Sequence, residues 1–193
     1  MKVRLAILAA MCSAFVLSAC GGPTNLRANL STSTDSLTVW ALSGTPPSYP
    51  SGVSLVGRQV VRVDGFAGFD FALDINADGN AVIYPVKLVV STPGGARPVG
   101  LQKVTGIFDS VTVAPKTGFE TDSALVMTPG EVVAIQSPHN GSGDICQFAI
   151  SPFLYAKVAV DSVNLASRTI FVRVGFDPNC GFRSLIAGVV PTS

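Results

Sequence analysis

The sequence predicts an all-β fold, an antiparallel two-sheet β-sandwich of immunoglobulin-like or jelly-roll type. First, the segment Phe69–Ile75 alternates apolar and polar residues, which is the period of a half-buried strand. Second, turn-forming residues are frequent, with 19 Gly and 13 Pro in the chain. Third, no segment after the N-terminal apolar stretch keeps a helical period. Short strands separated by turns are typical of a sandwich or a barrel.

Strands are predicted where β-branched and aromatic residues cluster between turn signals. The loop Ser43–Gly52 contains three prolines, which lack the N–H group that a central strand needs. The sequences NADGN and NLAS join neighbouring strands as hairpins. In chain order the predicted strands are Leu37–Leu42, Val53–Val63, Phe69–Ile75, Ala81–Val90, two short strands near Leu101 and Val111, Glu131–Ser137, Gln147–Ile150, Tyr155–Val163 and Arg168–Phe176.

The first twenty residues have the layout of a bacterial export signal. Lys2 and Arg4 form a short basic region, and Leu5–Leu17 is an uncharged apolar stretch that is too short for a stable transmembrane helix. Small residues and a cysteine follow at once. The sequence LSAC, ending at Cys20, resembles the lipobox of bacterial lipoproteins, in which a dedicated peptidase cuts just before the cysteine.

This resemblance implies that Cys20 carries diacylglycerol on its thiol and an acyl chain such as palmitate on its amine. Each buried methylene contributes about 0.8 kcal/mol, so several chains make attachment to the membrane effectively permanent. The family's inner-membrane retention signal is an aspartate directly after the cysteine, and Gly21 stands there instead. We therefore expect an envelope protein, at the outer membrane if the organism has two membranes. The alternative is an ordinary signal peptide that leaves a soluble secreted protein.

The resemblance also divides the chain. Residues 1–19 are predicted to be the signal peptide, residues 20–36 a lipid-anchored tether, and residues 37–193 a single β-sandwich domain. The tether is rich in Ser, Thr, Gly and Asn, the composition of a flexible linker.

Composition limits the function classes. The chain has 13 basic and 12 acidic residues, and no basic cluster is present. Nucleic-acid binding needs clustered Lys and Arg, so it is not expected. Cys146 and Cys180 are predicted to form a disulfide in an oxidising envelope, with a contribution of about 3–4 kcal/mol to stability. Structural zinc, the rival interpretation, wants four ligands, and His139 is the one histidine.

The segment FALDINADGNAVIYP contains the most site-like pattern. Asp74, Asn76 and Asp78 place oxygen ligands on alternate positions before Gly79, as in the first half of a calcium loop. Pro85 stands where an EF-hand needs its bidentate Glu, so an EF-hand is excluded. Two interpretations stay open, a weaker calcium site and a plain hairpin turn, because Asp, Gly and Asn are also favoured in turns.

Two other loops attract functional interpretations. His139, Ser142 and Asp144 bring the three residue types of a hydrolase triad together, but triad members usually lie far apart in the sequence, and an exposed loop is the simpler expectation. Tyr49 stands among prolines and is a candidate contact for a peptide, a glycan or a neighbouring protein. The alternative is that Tyr49 folds down over an open end of the sandwich.

Together these patterns predict a non-catalytic binding or structural module held at the membrane by its N-terminal lipid, with an envelope protein or a glycan as its partner and no cofactor. One alternative is a calcium-supported accessory domain that binds carbohydrate or peptide. Another is an envelope hydrolase, which the scarcity of glutamates and the single histidine disfavour.

Overall fold

The computed structural model describes residues 27–64, 68–90 and 96–192, and in them two antiparallel sheets of five strands each form a β-sandwich, which confirms the predicted fold class. Within these ranges there is also one helical turn at Val86–Val89 and one 3-10 turn at Phe108–Ser110. The elements are β1 Ser33–Trp40, β2 Gly52–Ser54, β3 Gln59–Val61, β4 Phe71–Ile75, β5 Ala81–Pro85, α1 Val86–Val89, β6 Gly100–Val104, β7 Leu125–Met127, β8 Val132–Pro138, β9 Phe153–Asn164 and β10 Thr169–Asp177.

The first sheet has the strand order β1-β10-β9-β8-β6, and the second has the order β3-β2-β4-β5-β7. The predicted NLAS hairpin is present, because β9 and β10 pair from Asn164 and Thr169 onward. The register shifts once, between Phe171 and Val172, which is a β-bulge. The predicted hairpin at NADGN is also present, with Ile75 opposite Ala81.

The main core lies between the two sheets. Its fully buried side chains come from both inner faces, and burying a large apolar side chain of this kind contributes about 1.5–3 kcal/mol. A second apolar cluster lies on the outer face of the first sheet, under the segments that follow β6 and β10. Its buried members are Phe108, Val111, Ala114, Val132, Tyr155, Ala159 and Leu185.

This outer cover explains why β9 does not alternate in burial. Lys157 points to the covered face and is buried, where its ammonium donates hydrogen bonds to the carbonyl oxygens of Phe108 at 2.7 Å and Val111 at 2.8 Å. The ammonium also lies 4.4 Å from the centre of the Phe108 ring, in cation–π contact. Burial lowers the pKa of Lys157 from its ordinary value.

The strand directions define two ends of the sandwich. The end formed by Ser33, Pro138, Phe153 and Asp177, where the described chain enters β1, is called the basal end. The opposite end, which holds the β9–β10 turn and the β4–β5 turn, is called the apical end. These two turns meet there, because the Arg168 guanidinium donates a hydrogen bond to the Ile75 carbonyl at 3.3 Å.

Several strand boundaries differ from the prediction. β1 begins at Ser33, inside the segment assigned to the tether, because its backbone pairs with β10 from Phe176 although its side chains are polar. The predicted strand over residues 53–63 is a hairpin of β2 and β3 with a turn at residues 55–58. The predicted strand over residues 81–90 ends at Pro85.

Two predicted short strands are absent from the described residues. The one near Val111 is replaced by the 3-10 turn at Phe108–Ser110, and Val113 keeps a single bridge to Ser184. The one over residues 147–150 is a turn, in which the Ala149 N–H donates to the Cys146 carbonyl. In both places the chain crosses an end or a face of a sheet, so its apolar residues do not belong to a strand.

Candidate functional site

The polar cluster with the best-defined geometry surrounds Asp70, just before β4 at the basal end. Asp70 and Ser137 have no exposed surface, and His139 is 1% exposed. The Ser137 hydroxyl donates to Asp70 Oδ1 at 2.5 Å, and His139 Nε2 lies 3.1 Å from the same oxygen. The Leu55 N–H donates to Oδ2 at 2.7 Å, and Arg97 Nη2 donates to Oδ1 at 3.2 Å. The carboxylate is therefore surrounded by four donors.

These donors keep the buried carboxylate ionised. Burial alone raises the pKa of a carboxyl group, but the hydrogen bond from His139, the charge of Arg97 and the bonds from Ser137 and Leu55 outweigh it. The pKa of Asp70 is therefore lowered from its ordinary value. Because the carboxylate is ionised and accepts only, Nε2 of His139 carries the proton that faces it.

The cluster contains Ser, His and Asp, but its geometry is not that of a hydrolytic triad. In a triad, one ring nitrogen of the histidine faces the serine and the other faces the carboxylate. Here the same ring nitrogen, Nε2, faces both groups, at 3.3 Å from Ser137 Oγ and 3.1 Å from Asp70 Oδ1. The serine proton points to the carboxylate, and the hydroxyl is fully buried. The arrangement fixes two sheets to each other at the basal end.

The sequence pattern at residues 139–144 is corrected by the structure. His139 was expected in an exposed loop, but it is buried and directed at Asp70, while Asn140 to Gly143 are exposed. Asp144 Oδ1 lies 3.5 Å from Nδ1 of His139, so the ring stands between two carboxylates. Among the hydrogen bonds of the described residues, none joins Ser142 to the ring.

The predicted calcium residues lie at the apical end, in the β4–β5 turn. Asp74 Oδ1 accepts hydrogen bonds from the N–H and hydroxyl of Ser43 at 3.1 and 2.8 Å, and Arg168 Nη2 lies 3.3 Å away. Asp74 therefore connects the β4–β5 turn to Ser43 and Arg168. The Arg168 guanidinium also donates to the Ser43 carbonyl, at 2.9 Å.

The other two candidates, Asn76 and Asp78, take part in the hydrogen bonds of the turn itself. Asn76 Oδ1 accepts hydrogen bonds from the N–H groups of Asp78 and Asn80, at 3.1 and 2.8 Å, as an Asx turn does. Gly79 has a positive φ of 82°, which Gly adopts without strain. Over the described residues, no three His, Cys, Asp or Glu side chains are grouped to hold a metal ion.

Tyr49 lies at the apical end, in the proline-rich loop between β1 and β2. Its ring packs edge-on against Trp40 with 5.3 Å between ring centres, and its side chain remains 44% exposed. Edge-to-face packing of this kind holds an aromatic ring in place. Tyr49 thus combines features of both interpretations, because its ring packs against Trp40 while part of its side chain is open to solvent.

The cysteine prediction is confirmed for the pair in the domain. Cys146 and Cys180 form a disulfide that connects the β8–β9 loop to the segment after β10. The lipidation candidate Cys20 lies outside the described residues. Within the parts of the chain that are described, no helix is long and apolar enough to cross a membrane.

Next to this disulfide, Asn179 holds the start of the described chain. Its Oδ1 accepts hydrogen bonds from the N–H groups of Asn29 and Leu30, both at 3.1 Å, and its Nδ2 donates to Asp177 Oδ1 at 2.8 Å. Asp177 is buried, and its Oδ2 has no hydrogen-bond partner within the described residues. Burial therefore raises the pKa of Asp177 to about 6, against the bonds from Asn179.

Comparison with known proteins adds no relative, because none of the compared protein families, curated proteins or solved structures matches this chain.

Sequence reasoning missed the Asp70 cluster. Asp70 was placed on the polar face of an alternating strand, but β4 is central in its sheet and Asp70 lies under the basal loops. Its partners come from three distant segments, at Leu55, Arg97 and Ser137–His139. An Asp between two Phe residues gave no distinct signal, because it also fits the polar position of an alternating strand.

Proposed function

We propose that this protein is a lipid-anchored bacterial envelope protein whose β-sandwich is a non-catalytic binding or structural module. The observation that carries the anchor is the LSAC lipobox ending at Cys20, preceded by a basic and then an apolar segment. The lipid joins the domain to the membrane, and the domain presents its loops to an envelope protein or a glycan.

The described geometry supports the non-catalytic part of the proposal. The Ser137 hydroxyl has no exposed surface, so a substrate carbonyl cannot reach it without opening the basal end. Its proton is held by the Asp70 carboxylate at 2.5 Å, whereas an activated serine gives its proton to a histidine. The alternative of an envelope hydrolase is therefore the weaker one.

The proposed anchor is tested by fractionation of cells that express the full chain. Wild type is expected in the membrane fraction, and Cys20→Ser is expected to leave it. Cys12→Ser is the matched control, because Cys12 lies in the predicted signal segment and its loss should change nothing. Membrane association that persists in Cys20→Ser would show that the lipobox interpretation is wrong.

The non-catalytic part is tested by labelling with a fluorophosphonate, which reacts with activated serines. The native protein should not be labelled. Labelling that disappears in Ser137→Ala but not in Ser142→Ala would instead support a hydrolase.

A second candidate function, ligand binding at the apical end, is favoured by the supported and exposed ring of Tyr49. An aromatic side chain held in this way suits contact with a sugar ring or a proline-rich peptide. Tyr49→Ala should then abolish capture of the ligand, at a cost in stability of about 0.5–1.5 kcal/mol for the lost pair with Trp40. An equal loss of capture in Leu165→Ala, at an exposed apolar residue of the apical β9–β10 turn, would contradict specific recognition by Tyr49.

A further inference from the structure

The loop between β8 and β9, at the basal end, exposes large apolar side chains. Phe148 is 87% exposed, Ile150 is 76% exposed and Ile145 is 51% exposed. Single exposed apolar residues are ordinary on protein surfaces. Three within six residues of one loop, including the most exposed aromatic ring of the described chain, form a patch of the kind that contacts another apolar phase.

The loop is braced in this exposed arrangement. Cys146 lies inside it, is buried and is bonded to Cys180. At its base the His139 N–H donates to the Pro152 carbonyl at 2.7 Å, and the Cys146 N–H donates to the His139 carbonyl at 3.1 Å. The disulfide and these bonds hold the backbone, while the apolar side chains on either side of Cys146 point to solvent.

The N-terminal segment reaches the sandwich at the same place. The N–H groups of Asn29 and Leu30 donate hydrogen bonds to Asn179, the residue before Cys180. Leu30 is itself 49% exposed. Cys20 lies nine positions before Asn29. An extended chain spans at most about 3.6 Å per residue, so the basal end lies within about 30 Å of an acyl chain on Cys20.

The charges of this end have both signs, because the partly exposed Asp144 lies in the loop itself. Arg27 and Arg58 are exposed, and Arg58 donates a hydrogen bond to Ser33 Oγ, which places it at the basal end. Basic side chains at an end that faces a membrane are attracted to anionic lipid headgroups.

We propose that the Ile145–Ile150 loop inserts into the headgroup and acyl boundary of the bilayer that anchors the protein, so that the domain lies with its basal end on the membrane. The proposal rests on the lipid anchor at Cys20. Apolar side chains such as Phe and Leu are the ones that interfacial membrane proteins bury in this boundary. The apical end, with Tyr49, then faces away from the membrane.

The test places a fluorescent reporter in the loop of the lipidated full-length protein. Trp40 is the single tryptophan, so Trp40→Phe gives a dark background to which Phe148→Trp is added. The protein is purified from membranes and reconstituted in phosphatidylcholine vesicles that contain lipids brominated near the headgroup. The matched control adds Leu165→Trp to the same background, because Leu165 is 59% exposed at the apical end.

We expect the Phe148→Trp reporter to shift to shorter wavelength and to lose at least about half of its fluorescence to bromine, as insertion by 5–10 Å requires. The Leu165→Trp reporter should show neither change. An unquenched Phe148→Trp reporter on protein that still floats with the vesicles would overturn the insertion and leave the anchor intact. If the reporter stays unquenched in vesicles but the loop is protected in native envelopes, the surface that covers the loop is a protein, and this result would overturn the proposal too. Protein that carries no lipid and does not float would refute the anchor itself.

Discussion

The Asp70 cluster gives the sharpest stability prediction. In Asp70→Asn the side chain keeps its shape but loses its charge, and one of its acceptor oxygens becomes an NH₂ donor that faces donors already in place. The carboxylate accepts from Leu55, Ser137, His139 and Arg97. Breaking a buried charged network by removing one partner costs about 3–5 kcal/mol. We expect a loss of that size in the free energy of unfolding at pH 7.

Urea unfolding of the variant and of wild type measures this loss, and Asp78→Asn is the control. Asp78 is exposed in the apical turn, so its substitution should change stability by less than about 0.5 kcal/mol. The folded pKa of Asp70 lies below its ordinary value of 3.8, so its contribution is complete above that pH and disappears as pH falls through the folded pKa. The difference between wild type and Asp70→Asn should therefore shrink in acid. A loss below about 1 kcal/mol at pH 7 would refute the reasoning, because buried groups with unmatched partners cost more than that.

Three further predictions follow from the other polar contacts. The pKa of Asp177 is raised to about 6, so its ionisation opposes folding at neutral pH. Asp177→Asn should therefore raise the free energy of unfolding, measured in urea, by about 1–2 kcal/mol at pH 7 and should give no gain near pH 4. Equal effects at the two pH values would contradict the raised pKa. Arg168→Ala should lower stability by about 1–2 kcal/mol through its lost bonds to Ser43 and Ile75, whereas Arg62→Ala, which removes an exposed ion pair, should change little. The thermal midpoint should be the same in calcium as in EDTA, and a calcium-dependent rise that Asp78→Ala abolishes would show a metal site.

The sequence was sufficient for the fold class because strand signals are local. The alternation before NADGN and the turn residues of NLAS specify two hairpins, and both are present. The disulfide followed from the even cysteine pair in a chain that the sequence predicts to be exported. β1 was placed late because backbone pairing with β10, rather than its own polar side chains, determines where it starts.

The candidate sites were less predictable because they depend on contacts between distant segments. Asp70 and His139 are 69 residues apart, and no local pattern connects them. Gln147–Ile150 has the letters of a strand, yet Phe148 and Ile150 are exposed on a loop that the Cys146–Cys180 disulfide holds. The sequence contains these residues, but only the fold shows which of them face solvent.

The central claim is the lipid anchor, and the intact mass of the mature protein tests it most directly. Protein extracted from membranes with detergent should begin at Cys20 and exceed the mass of residues 20–193 by a diacylglyceryl group, with a further acyl chain where the amine is modified. Treatment that cleaves acyl esters should remove the mass of the two ester-linked fatty acids and leave the thioether-linked glyceryl group and the amide-linked chain. A mature chain that begins at any other residue and carries no lipid would contradict the account.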